Sequence, residues 1–439
     1  MKFWIKYIKP HLRYFILGPS VILIEVIGEV LMPKYLAMII NNATSKTPIY
    51  SVGIALFASL TGLMMMAGGV GGAYFGTKAS VKCAADIRKD MYKKIQTFSY
   101  ADIDKFNTGS LITRLTNDIT QVQNFISILL RVCVRAPGML IGSIIMAIFL
   151  RPSLSWILLV SIPFLGFSIS FVILKGMPRF TKMQGKIDNL NNTVQENVTN
   201  VRVVKSFVRE NYETKKFKVS NQDYKKSEID AMKIMILLNP IMSLCMNLST
   251  ILILWFGSKM VLSDTNAMPI GDLSAFIAYC NQILSALMMV TMAFVMSSRS
   301  IASGKRIKEV LIQESTISDD IAQYKDIKVL KGNVEFKNVS FRYYKNSEEA
   351  VLNSVSLTIK SGSTVGIIGS TGSGKTTLVS MIDRLYDPDE GAVLVDGVNV
   401  KDYSLENLRE GIGMVLQKNV LFSGTIEENL RWGNQNATF

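Results

Sequence analysis

Histidine and cysteine are scarce, and their scarcity sets the first limits. The only histidine in 439 residues is His11, near the N-terminus. The four cysteines, Cys83, Cys133, Cys245 and Cys280, form no CxxC pair, and three of them fall in apolar runs. They therefore read as reduced, structural residues and leave no disulfide framework to build on.

Acidic residues are outnumbered, 34 against 48 Lys and Arg, for a net charge of +14. Such a surplus can signal nucleic acid, so its position matters. Residues 334–439 hold 10 basic and 13 acidic residues, against 38 and 21 upstream. The excess belongs entirely to the N-terminal part, which favours membrane topology over a nucleic-acid partner.

Charge is in turn nearly missing from six long runs, at about 15–40, 52–76, 126–150, 154–174, 233–262 and 273–296. Each meets the ~20 apolar residues that a helix needs to cross a bilayer. The mean hydropathy of +0.28 and the 49% hydrophobic content agree with that reading. Basic residues alternate between the connections: Lys2, Lys6, Lys9 and Arg13 precede the first run, 77–125 carries eight and 175–232 carries twelve, whereas 41–51, 151–153 and 263–272 hold only Lys46 and Arg151. By the positive-inside rule both termini are expected in the cytoplasm of a multi-pass cell-membrane protein. The first run exceeds a signal-peptide core and lacks a small-residue cleavage site, so it is expected to stay as an anchor.

The two long connections, 77–125 and 175–232, have helical apolar spacing and few breakers. Each is expected to continue one span into the cytoplasm, turn, and return as the next. A charged helix continues from Ser300 to Lys308, and a polar linker ends near Lys331. From Val334 the period changes: Val334–Phe341 and Thr364–Ile368 read as strands, with a helix after Gly374. The expected division is a helical membrane domain over 1–303, a linker over 304–332, and an α/β domain over 333–439.

Gly369, Ser370, Thr371, Gly372, Ser373, Gly374, Lys375 and Thr376 fit the pattern G-x-x-x-x-G-K-[ST], followed by Thr377, after a strand and at the start of a helix. Glycines allow backbone N–H groups to turn inward around phosphate oxygens, and the helix N-terminus adds its positive end. Lys375 is expected on the β- and γ-phosphates of ATP, and Thr376 on Mg²⁺. A second glycine cluster, Gly68–Gly72, lies inside the second span and reads as close helix packing. Within the spans, Glu25 and Glu29 share one helix face at i, i+4, and Arg131 and Arg135 share another. Opposite charges on neighbouring spans can satisfy each other, leaving two readings: a structural ion pair, or the polar lining of a cavity. Met64, Met65, Met66, Met288 and Met289 are candidates for an adaptable apolar lining or for ordinary packing.

With these features the chain resembles the bacterial ABC exporters, in which a six-helix membrane domain is fused to a nucleotide-binding domain. Ser110–Asp118, Leu130–Pro137 and Val201–Phe207 are most similar to one subunit type of the heterodimeric multidrug exporters. The resemblance implies an all-α membrane domain of the type 1 exporter fold, followed by part of an α/β P-loop ATP-binding cassette. It implies that Tyr343 stacks on adenine, with Tyr344 as the neighbouring candidate, and that Gln417 approaches Mg²⁺ and the attacking water. Phe422–Leu430 resembles the family's helical subdomain. The hairpin turns near Asp102–Gly109 and Asn197–Lys205 match the coupling helices that dock on nucleotide-binding domains.

The implied activity is ATP-driven export of amphipathic or drug-like compounds by a pair of half-transporters, a heterodimer or a homodimer. A regulatory ATP-binding subunit with a degenerate site, or an exporter of lipid or peptide, is the alternative. The family's signature motif, its Walker B carboxylates and its switch histidine fall after the point where the 106 residues from 334 to 439 stop. The chain is therefore expected to be a truncated one that cannot complete an ATP site alone.

Overall fold

The computed structural model describes residues 2–44, 48–262, 268–343, 349–417 and 420–434. Its helices run α1 (Lys2–Ile8), α2 (Leu12–Thr44), α3 (Pro48–Gln96), α4 (Tyr100–Phe106), α5 (Thr108–Thr113), α6 (Ile119–Leu150), α7 (Trp156–Thr199), α8 (Val201–Ser206), α9 (Glu210–Ile236), α10 (Leu238–Val261) and α11 (Ile270–Ile312). Strands β1 (Val334–Phe341) and β2 (Leu352–Ile359) follow, then α12 (Lys375–Ile382), β3 (Glu390–Val395), β4 (Val398–Asn399), α13 (Leu405–Glu410) and α14 (Ile426–Leu430). Contacts divide the chain into two compact units: Met1–Arg88 with Asn117–Lys305, and Lys89–Thr116 with Arg306–Phe439. The tip of the first hairpin thus groups with the C-terminal part.

In the first unit, six stretches among the described residues are long and apolar enough to cross a membrane: Phe3–Thr44, Val52–Gln96, Thr108–Leu150, Pro152–Thr199, Glu210–Val261 and Ile270–Thr291. The first four each contain one of the expected runs, and the last two overlap theirs, ending at Val261 and Thr291 where the expected runs reach 262 and 296. Lys46 lies outside the described residues. Prolines 19, 33, 137, 163 and 178 sit inside these helices, as membrane helices tolerate where neighbours re-satisfy the backbone.

Helices α2 and α3 touch through small residues. A methyl group at Gly68 would lie 2.9 Å from the amide nitrogen of Glu25, and one at Gly72 would overlap Ile22. The glycine cluster is thus a contact seam inside a span, as its position suggests. Buried polar groups are paired across helices. Tyr279 donates to the Val30 carbonyl at 3.0 Å, the Gln282 amide donates to the Glu29 carbonyl at 2.9 Å, and the Ser143 hydroxyl donates to Gln282 Oε1 at 2.8 Å. Cys83, Cys245 and Cys280 are buried free thiols, and Cys133 is an exposed one.

In the second unit the sheet is antiparallel in the order β2-β1-β3-β4. Val334 pairs with Ile359 on one side and Val395 on the other. An irregularity in β1 after Phe336, with Asn338 at positive φ, brings Val339 and Phe341 into the same core as Phe336, with Leu378, Met381, Val393, Tyr403 and Leu408. Asp396 and Gly397, both at positive φ, make the tight turn from β3 to β4.

One expected strand is absent. The apolar run Thr364–Ile368 joins no ladder among the described residues, and Ile368 is 99% exposed. A strand is held by partners at its edges, and among the described residues the four strands pair only with one another. The linker also begins later than expected, because α11 persists to Ile312 before the irregular stretch that leads to β1.

Candidate nucleotide site and coupling helix

The phosphate-loop residues form an irregular turn that opens into α12 at Lys375. Gly372 and Gly374 hold φ of +87° and +84°, and a side chain at Gly374 would meet the Val351 carbonyl and Leu352 at 2.9 Å. These are conformations and clearances that glycine alone meets without strain. The Lys375 ammonium turns back over the loop and donates to the carbonyls of Gly369 at 2.8 Å and Ser370 at 2.7 Å. Ser373 closes the turn through its amide to Ser370 at 3.2 Å.

The loop fits a polyphosphate chemically. A cation already sits over it, the first-turn N–H groups of α12 lack helical carbonyl partners, and the Thr376 hydroxyl is on an exposed residue. Thr377 differs. It is buried, and its hydroxyl lies 2.8 Å from that of Tyr343. Gln417 is exposed at the end of the irregular run 412–417, and no hydrogen bond joins it to residues 369–377 among the described residues. Tyr344 lies outside the described residues.

Tyr343 is held edge-on by two rings, Phe341 at 5.0 Å and Tyr386 at 5.2 Å between centroids. The turn that carries Tyr386 is fixed from below. Arg384, fully buried at positive φ, donates from Nε to Asp387 at 3.1 Å and from Nη1 to the Lys401 carbonyl at 3.3 Å. The Asp389 amide donates to the Ser340 carbonyl, and its carboxylate accepts from the Arg342 amide at 2.7 Å. A cavity of about 1000 Å³ opens beside Tyr343, walled by Tyr386 and by Asp104, Asp387 and Asp389. Its lining carries two cations, Lys105 and Arg342, beside the three carboxylates, and none of residues 369–377 lines it.

Tyr386 also reaches α4, where its hydroxyl donates to Asp104 at 2.9 Å. Burial, together with that bond, pushes the phenol well above its ordinary value. Helix α4 is capped by Ser99, whose hydroxyl accepts from the Asp102 amide while Asp102 accepts from the Ser99 amide at 3.0 Å. Asp102, 1% exposed, further accepts from the Thr316 amide at 3.1 Å and from Gln313 at 3.2 Å. The sequence expectation of a short helix near Asp102–Gly109 corresponds to α4, and that near Asn197–Lys205 to α8. Tyr386, Asp104 and Thr316 were missed. The only available signal was an aromatic beside Asp387-Pro388 at a helix exit.

Within the spans, one arginine serves both carboxylates. Arg135 lies 3.0 Å from Glu25 and 3.2 Å from Glu29, because carboxylates one helical turn apart fit the two prongs of a guanidinium. Arg131 is exposed and makes no ion pair among the described residues. Met64 and Met66 are exposed, Met65 packs toward Gly28, and Met288 and Met289 lie against the helical core.

A family model for the ABC transporter transmembrane region matches residues 15–287, and one for ABC transporter matches residues 352–439. The chain is 37% identical over 442 residues to the uncharacterized ABC transporter ATP-binding protein YfiB of Bacillus subtilis, covering 99% of this chain and 75% of that protein. It is 35% identical over 431 residues to the corresponding protein Rv1273c of Mycobacterium tuberculosis, covering 98% and 73%. With six membrane-length helices ahead of a P-loop cassette of the ABC ATPase type, the chain belongs to the ABC transporter family.

Proposed function

We propose that this chain is one subunit of an ABC exporter that uses Mg²⁺-ATP to move amphipathic, drug-like compounds outward across the cytoplasmic membrane, paired with a second half-transporter. The observation that carries the reading is the contact of α4 with the cassette through Tyr386 and Asp104. A helix-turn between two spans that is held by the nucleotide-binding part is what an ATP-driven conformational device needs, because two states must differ in contacts that ATP biases. In this reading Lys375 and the loop amides hold the phosphates, Thr376 and Gln417 hold Mg²⁺, and the Tyr343 ring stacks on adenine.

Binding at Tyr343 changes the packing of its neighbour Tyr386, and Tyr386 carries the change to α4. Glu25, Glu29 and Arg135 fix the packing of α2 against α6. The test is reconstitution of the protein with its partner half-transporter in proteoliposomes. Substrate-stimulated ATP hydrolysis and outward movement of amphipathic dyes are expected. Hydrolysis without movement of any dye, lipid or peptide would overturn the exporter assignment.

A further inference from the structure

Three cations converge on one tyrosine near the N-terminal end of α2. The Arg13 guanidinium lies 4.7 Å from the centroid of the Tyr14 ring, the Lys82 ammonium 5.1 Å and the Lys78 ammonium 5.4 Å. No pair of them can therefore be more than about 10.5 Å apart. Tyr14 itself is almost buried, packed on Ala79 of α3 and Leu130 of α6 with Phe75 stacked beside it at 6.4 Å. The ring is thus a fixed post at a three-helix junction, and the charges around it are held on two different helices.

Like charges at this spacing repel within about one Debye length. A ring quadrupole compensates each only in part. Among the described residues, no carboxylate lies within ion-pair distance of Arg13, Lys78 or Lys82. The nearby Asp86 on α3 is engaged by His11 at 2.7 Å. Among the described residues, the one polar contact that any of the three makes beyond Tyr14 is Lys78 donating to the Tyr74 hydroxyl at 2.8 Å. Arg13 is exposed and the two lysines are half-buried. The arrangement is a cluster of three positive charges around one ring.

Tyr74 stands exposed beside the cluster, its ring centroid 4.9 Å from the Lys78 ammonium. Tryptophan and tyrosine gather at the headgroup level of a bilayer. Long basic side chains whose stems lie along apolar helices extend their charge to that same level.

We propose that Arg13, Lys78 and Lys82, organised around Tyr14, bind the phosphate headgroup of an anionic phospholipid in the cytoplasmic leaflet. The leaflet rests on the positive-inside reading that places the N-terminus in the cytoplasm; the headgroup preference does not depend on it. Anionic lipids concentrate on that face and are attracted by clustered Lys and Arg. The bound phosphate balances these three charges and ties the start of α2 to the middle of α3, while the acyl chains lie against the exposed apolar side chains of Ile16 and Leu17.

The test is native mass spectrometry of the full 439-residue chain in neutral detergent with equal amounts of phosphatidylglycerol and phosphatidylcholine of the same chain length. At least about fivefold more phosphatidylglycerol adduct is expected on the unaltered protein. R13Q/K78Q/K82Q should bring the ratio near one, whereas K182Q/K218Q/K225Q, which removes the same charge from the second hairpin, should leave it unchanged. K82Q alone gives an intermediate ratio and keeps the test valid if the triple variant does not fold. An unchanged ratio in R13Q/K78Q/K82Q and K82Q overturns the site. Adduct formation with inorganic phosphate but no lipid preference overturns the lipid assignment.

Discussion

The hydroxyl of Tyr386 donates to the carboxylate of Asp104 at 2.9 Å, joining the turn after the phosphate-loop helix to the tip of the first hairpin. On its other side the Tyr386 ring meets Tyr343 edge-on, and Tyr343 touches Thr377. A continuous set of contacts therefore runs from the first turn of α12 to α4. Tyr386→Phe keeps the ring and removes the donor. A hydrogen bond of this kind contributes ~1 kcal/mol, so amides 100–106 should exchange about fivefold faster, without change in the amides of α12. Unchanged exchange in α4 would show that the bond does not hold the helix.

The Tyr343 ring and its hydroxyl have separable roles. Tyr343→Ala removes a base-stacking surface worth ~1–3 kcal/mol, so a fluorescent ATP analogue should bind about 5- to 150-fold more weakly. Tyr343→Phe should bind within about twofold of the unaltered protein, because stacking needs no hydroxyl. Equal losses in the two variants would assign the effect to the Thr377 contact instead.

Lys375 presently satisfies its ammonium on two loop carbonyls. Lys375→Ala removes hydrogen bonds to a charged group worth ~1.5–3 kcal/mol, so ATP affinity should fall about 10- to 100-fold while AMP affinity changes little. A parallel loss for AMP would mean that the loop had collapsed.

Much of this is legible in residue patterns alone, for reasons that differ by element. The spans declare themselves because a bilayer demands about 20 apolar residues in one run, and the phosphate loop because its glycines and lysine answer one local chemical need. The short helices α4 and α8 follow from hairpin length and family likeness. Arg135 taking both Glu25 and Glu29 was only half visible: the i, i+4 faces were evident, but not that Arg131 would be left outside. Tyr386 was invisible because its partners, Asp104 and Tyr343, lie 282 and 43 positions away and carry no shared period. The run Thr364–Ile368 misled because β-propensity describes a segment, whereas a strand also requires a neighbour.

Arg135→Leu leaves two carboxylates facing each other inside the spans. Loss of one partner from a fully buried pair costs about 3–5 kcal/mol; Arg135 is 37% exposed, which reduces this to about 2 kcal/mol. A lower unfolding temperature in detergent is expected, with most of the loss recovered in R135L/E25Q/E29Q. If the combined variant were as unstable as R135L, the ion pair would not be the cause.

Burial pushes the Asp396 carboxyl up, but the amides of Lys331, Asn333, Leu330 and Gly332 outweigh it and hold the group below its ordinary value. A depressed carboxyl stabilises the fold above its unfolded pKa of about 3.9, and that stabilisation disappears as pH falls through the lower folded value. Protection of amides 330, 331 and 333 should therefore be constant from neutral pH down to about 4 and decline below it. Asp396→Ala should show weak protection throughout, and retention of the acid transition in that variant would contradict the assignment.

The bond from the Thr316 amide to Asp102 spans 214 positions. At 5–20 residues per second, synthesis needs roughly 10 to 40 s to deliver the second partner after the first. During that interval four spans are made while Asp102 waits in water, satisfied only by its own cap at Ser99. The local capping box thus supplies the first hydrogen bonds that Asp102 makes, before the distant half of its binding site emerges from the ribosome.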